Sequence, residues 1–158
     1  TFDICRHVAA AGVIVADVAA AVYQNSSIGK IKLTGALLDG MQLECDGRVA
    51  ILKVDDALMQ KTGCPPDDME GLINLPLSAK SVQAVIMIRT ETLMTRVSLR
   101  SKANIDVRQV AVSYGGGGHR NAAGFSTAMP QSELESKLLK QIHHVLNSPN
   151  PSHLESKI

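Results

Sequence analysis

Four consecutive glycines, Gly115 to Gly118, followed by His119-Arg120-Asn121-Ala122-Ala123-Gly124, constrain this chain more than any other feature. Glycine admits positive φ and close backbone approach, so successive N–H groups can turn into one concavity. A flexible linker has the same composition, but the setting argues for order. Asp106 can cap a preceding helix in which Val107, Val110, Ala111 and Tyr114 share a face, and Phe125 to Ala128 reads as a short strand. A helical turn over His119 to Ala123 would add free N–H donors for a phosphate. His119 and Arg120 supply side-chain donors at the mouth, and Ala122, Ala123 and Gly124 leave room beside them. Every part of the segment suits an anion. A Walker loop is excluded because Gly118 is followed by His-Arg, not Lys-Ser/Thr, and a dinucleotide-binding G-x-G-x-x-G fails at Arg120.

The rest of the chain alternates irregularly between helical and strand patterns. Asp3 to Tyr23 reads as two short helices broken at Gly12, and Ile28 to Leu38 as a third. Met41 to Cys45 and Arg48 to Val54 read as a hairpin about Asp46-Gly47. Asp55 can cap a helix closed by Gly63, and Pro65 to Asp68 is a rigid polar turn. Val82 to Ile88 is almost wholly apolar, as expected of a strand buried on both faces. Thr95 to Ser101 alternates, placing Val97 and Leu99 on one face and Arg96, Ser98 and Arg100 on the other. A last helix from Ser132 carries Leu134, Leu138, Leu139, Ile142 and Val145 on one side, and the Pro-containing tail from Ser148 reads as disordered. The expected class is α+β, a mixed sheet flanked by helices.

Net charge is only +1, yet its distribution is uneven. Between Arg89 and Arg120 six basic residues stand against Glu91 and Asp106, a local +4 that leaves −3 for the remainder. Such a concentration is expected where a segment meets an anion. Cys5, Cys45 and Cys64 are odd in number and form no C-x-x-C pair, which points to reduced thiols in a cytoplasmic protein. No apolar run reaches the roughly 18–20 residues needed to span a bilayer. The opening Thr1-Phe2-Asp3 lacks Met and any signal pattern, and reads as the cut edge of something longer.

Taken together, the Ser98-Leu99-Arg100-Ser101 strand end, Ile105-Asp106-Val107 and the Gly115 to Gly124 segment resemble the DHH-associated domain of the DHH phosphoesterases. Glu70-Gly71-Leu72-Ile73-Asn74 is similar to a segment of the branch that combines oligoribonuclease and 3′-phosphoadenosine-5′-phosphate phosphatase activities. Residues 1–25 are similar to the end of that branch's catalytic domain with its connecting helices. The resemblance implies three regions: 1–27 from the catalytic domain and connecting helices, 28–147 a substrate-binding domain, and 148–158 a tail. It also implies a two-domain enzyme with Mn²⁺ in an N-terminal DHH domain and short RNA or mononucleotide phosphates held across the cleft. Carried over by position, Arg100, Ser101, Gly115, Gly116, Gly117, Gly118 and His119 would contact substrate, while Ala122, Ala123 and Gly124 would shape the pocket. Ser98, Asn74, Arg120 and Asn121 are further candidates. Arg100 can fork onto a phosphate bidentately, which independently suits that role.

No Asp-His-His motif is present, and the single His pair, His143-His144, lies within the last amphipathic helix. Asp55-Asp56 and Asp67-Asp68 sit beside turns and read as caps and solvated charges. A two-metal centre needs several carboxylates and imidazoles converging on ions about 3.5–4 Å apart. The expectation is therefore a chain with no catalytic or metal-binding residue of its own, inactive alone. Other readings keep the glycine segment and change its context. These are a cyclic dinucleotide phosphodiesterase, a RecJ-like exonuclease, a tRNA-binding appendage as in alanyl-tRNA synthetase, or a dimerisation domain.

Overall fold

A computed structural model describes residues 2–148; the tail expected from Ser148 onward lies almost entirely outside these described residues. The chain opens with α1 (Phe2–Ala10) and α2 (Val15–Tyr23), joined at Gly12, whose φ is +89°. Neither helix buries a residue, and Phe2, Ile4, Val18 and Val22 stand exposed. No single helix among the described residues is long and apolar enough to cross a membrane; α1 and α2 reach that length only as a pair bent by 119°.

From α3 (Ile28–Asp39) onward the chain is packed. Strands β1 (Gln42–Glu44) and β2 (Val49–Asp55) form the hairpin expected about Asp46-Gly47. Asp55 caps α4 (Asp56–Thr62) by accepting the Leu58 N–H at 2.7 Å, and Gly63 closes it at φ +66°. Two 3-10 helices, Pro66–Met69 and Leu72–Ser78, complete the crossover to β3 (Ala84–Thr90). Then follow β4 (Thr95–Ser101), α5 (Arg108–Ser113), β5 (Gly117–His119), β6 (Ala122–Thr127) and α6 (Gln131–Asn147). The six strands form one mixed sheet in the order β1-β2-β3-β4-β6-β5, parallel only between β2 and β3. This is the α+β architecture that the irregular alternation suggested.

The sheet has two unequal faces. On one, Val49, Ile51, Ile86, Ile88, Val97, Leu99, Ala123 and Phe125 pack beneath α5 and α6, through Val110, Leu134, Leu138 and Ile142. On the other, Ala50, Leu52, Val54, Val85 and Met87 are covered by Leu33 and Leu37 of α3 and by Leu72 and Ile73 of the second 3-10 helix. β3 is buried on both faces over Ala84 to Ile88, as its continuous apolar run requires. The second cover reaches only the near side of β4, where the second 3-10 helix overhangs it, and beyond it the same face of β6 and β5 is left uncovered.

The glycine segment departs from expectation. His119 to Ala123 is not a helical turn but the tip of a β5–β6 hairpin, with Gly117 paired to Gly124 and His119 to Ala122. Alanine's helix preference is weak against tertiary demands. Here pairing of Ala122 with Arg100 extends the sheet, while Ala123 and Phe125 enter the core. Asn121 fixes the tip, its side-chain amide donating to Ser101 Oγ at 2.9 Å, the Ala103 carbonyl at 3.0 Å and the Ile105 carbonyl at 3.1 Å.

Candidate functional site

Strand alternation and register decide which side chains meet on the uncovered face. On β4 it carries Arg96, Ser98 and Arg100, since Val97, Leu99 and Ser101 face the core. Register partners share a face, so Arg100 is followed across the sheet by Ala122 and then His119, and Ser98 by Gly124 and then Gly117. Arg100, Ser98, Gly117, His119, Ala122 and Gly124 thus form one surface, three strands wide. Its floor is two glycines and an alanine, which leaves the backbone accessible. His119 and Gly117 are exposed on β5, an edge strand whose outer backbone groups have no strand partner among the described residues.

The four glycines have different reasons to be glycine. Gly115 takes φ +75° directly after α5, where its N–H donates to the Val112 carbonyl at 3.0 Å. A Cβ on Gly116 would stand 2.4 Å from the Phe125 Cβ and 2.3 Å from the Gly124 oxygen. One on Gly118, at φ +134°, would stand 2.5 Å from the Ala122 oxygen. Gly117 is different: its φ lies outside the left-handed region and a Cβ there would meet nothing. The fold has no use for its smallness.

Arg100 has one hydrogen bond, from Nη1 to the Leu99 carbonyl at 3.0 Å, and among the described residues no carboxylate pairs with it. Its guanidinium lines a cavity of about 230 Å³ together with Ser98, Arg96, Arg89, Met87 and the overhanging wall of Met69, Glu70, Gly71 and Ile73. That wall is clamped from below. Lys30 Nζ donates to the Glu70 carbonyl at 3.1 Å and lies 3.7 Å from Asp68, whose carboxylate also accepts the Ser27 hydroxyl. The Ser27 hydrogen bond, more than any other influence, holds the Asp68 carboxyl below its ordinary range.

Other sequence candidates lie elsewhere. Ser101 is buried on the core face, its hydroxyl donating to the Ile105 carbonyl at 2.7 Å. Ala123 and Gly118 also turn toward that face, and Asn121 is engaged at the hairpin tip. Arg120 turns away from the cavity, donating to the Asn104 carbonyl at 2.9 Å and lining a separate groove with Asp106 and Arg108. Asn74 is exposed on the second 3-10 helix and does not line the cavity. Arg89 and the Glu70-Gly71 wall were not among the candidates. Only the β3–β4 register reveals Arg89, by setting it directly opposite Arg96.

Among the described residues no group of three His, Cys, Asp or Glu could hold a metal ion. Burial pushes the Cys45 and Cys64 thiols up, away from thiolate chemistry. What the uncovered face offers is cationic and backbone donors on a flat, small-residue floor. That equips it to bind and orient an anion.

A family model described as the DHHA1 domain matches residues 46–148. An exopolyphosphatase-related protein from Bacteroides fragilis superposes with a TM-score of 0.80 at 27% identity, over 92% of this chain and 44% of that one. A pGpG-specific phosphodiesterase, PggH from Vibrio cholerae, shares the fold with a TM-score of 0.54 at 12% identity, over 73% and 39% of the two chains. RecJ from Thermus thermophilus, in complex with Mn²⁺, does so at 0.53 and 20%, over 77% and 18%. The chain thus spans less than half the length of each. No curated protein matches it.

Proposed function

Because the chain belongs to the DHHA1 domain family, we propose that it is the substrate-holding part of a DHH-family phosphoesterase. In this reading it grips the phosphate of a short oligoribonucleotide or of 3′-phosphoadenosine-5′-phosphate, presenting the ester to an N-terminal DHH domain. The observation that carries the reading is the arrangement of Arg100 and Ser98 beside the Gly117–Ala122–Gly124 floor, with His119 at its edge and no carboxylate among the described residues ion-paired with the guanidinium.

Each group has a distinct task. Arg100 takes two phosphate oxygens at once, a charge-assisted contact stronger than a neutral hydrogen bond. Ser98 and His119 donate from either side of the floor. The bare backbone at Gly117 lets the phosphate sit closer to the sheet than any side chain would allow. Fixing the anion in this way contributes orientation and charge neutralisation to the reaction, and no nucleophile. The manganese implied by the family resemblance does not fit this chain, whose described residues offer no converging ligand set. We assign that metal to the N-terminal domain.

The test is a chemical-shift titration of the chain with 3′-phosphoadenosine-5′-phosphate. Binding is expected between millimolar and high micromolar, about −4 to −6 kcal/mol. Arg100→Ala should weaken it roughly 10- to 100-fold, matching the 1.5–3 kcal/mol typical of a hydrogen bond to a charged group. Shifts should cluster at Gly117, His119, Ala122 and Gly124. Shifts confined to the Arg120 groove, or an unchanged affinity in Arg100→Ala, would remove the reading.

A further inference from the structure

Arg89 and Arg96 are direct register partners on β3 and β4, and both line the same cavity as Arg100. Like charges placed directly opposite on a sheet repel, so the fold does not select this pair for stability. Arg96 is exposed and makes no ion pair among the described residues. Arg89 forms an ion pair with Glu91, whose Oε1 lies 3.3 Å from its Nε, although that buried Nε has no aligned hydrogen-bond partner among the described residues. The exposed, unneutralised Arg96 guanidinium, with Arg89 held beside it by Glu91, is open to an acceptor from outside. Among the described residues Glu70 is the only carboxylate lining the cavity and Glu91 pairs with Arg89 beside it, against three arginines, which leaves Arg96 and Arg100 without an ion pair.

Arg96 and Arg100 lie four residues apart on β4, about 13 Å along the strand, with Ser98 midway. One phosphate seated on Arg100 and the glycine floor is therefore remote from the Arg89–Arg96 pair. We infer that Arg89 and Arg96 form a second anion subsite for another phosphate of the same ligand, which makes the preferred ligand an oligonucleotide with at least two phosphates. This rests on the reading of Arg100 given above. The overhanging Gly71 and Ile73 would cover the nucleoside between the two phosphates, and the Lys30–Asp68 clamp holds that cover in place.

The experiment titrates the chain with two probes, ApA, which has one phosphate, and pApA, which has two. The wild type should bind pApA at least ten-fold more tightly. In Arg96→Gln that preference should collapse to about two-fold or less, and Arg89→Gln should do the same, whereas Arg89→Lys should keep part of it. Arg96 is exposed, so its replacement tests the subsite without disturbing the core. If Arg96→Gln weakens both probes by one factor, or neither, the second subsite is overturned. Failure of the underlying reading shows separately, as ApA binding that Arg100→Ala leaves untouched. A wild type that binds neither probe overturns both.

Discussion

At the scale of single residues, the glycine run separates what the fold needs from what a ligand would need. Gly116 is packed so tightly against Phe125, itself stacked on Tyr114 at 4.4 Å, that a methyl group must displace the hairpin. Gly116→Ala should therefore cost about 1–3 kcal/mol, as other overpacking substitutions do, read as a lowered denaturant midpoint. Gly117→Ala should behave oppositely. It relieves the entropy of a glycine in a strand, raising stability by up to about 0.5–1 kcal/mol, while weakening nucleotide binding by obstructing the floor. A Gly117→Ala variant that binds as well as wild type would mean that no anion approaches the backbone there. Composition could not separate these two glycines, because the difference lies in what stands above each Cβ.

Among the elements, the junction of α3 with the first 3-10 helix couples folding to pH through Asp68. The Ser27 hydroxyl caps α3 by accepting the Lys30 N–H at 3.0 Å and donates to Asp68, so one serine joins both elements. The folded Asp68 carboxyl titrates below its unfolded value near 3.8. Its stabilising contribution is thus complete above that value and fades as pH falls through the lower, folded value. Asp68→Asn should lower the melting temperature at about pH 6, and its deficit relative to wild type should shrink as pH falls below 3.8. A deficit that stays constant over this range would show that the carboxylate's charge is not what joins the elements. The sequence marked Asp67-Asp68 as a polar turn, and correctly so for Asp67. The partner of Asp68 is 41 positions away and has no local signal.

For the whole molecule, the organisation is a closed body with an unclosed face and an apolar prefix. Both cores are complete from α3 onward, while α1 and α2 contribute no buried residue to either. Removing residues 1–26, which spares the Ser27 cap, should leave the thermal midpoint within about 2 °C. A larger drop would show that the two leading helices support the domain that follows them.

The local patterns determined most of the elements. Helical spacing located α1, α2, α3 and α6, the Asp55 and Gly63 signals bounded α4, and alternation assigned Arg96, Ser98 and Arg100 to one side of β4 before any partner strand was known. These features depend on neighbours within a few positions, which periodicity and capping report directly. The hairpin at His119 to Ala123, the burial of Ser101 and the meeting of Arg89 with Arg96 were decided only by strand order and register. Pairing of distant strands selects which small residues lie flat and which side chains share a face. Short apolar segments of similar composition leave that choice open until the sheet is assembled.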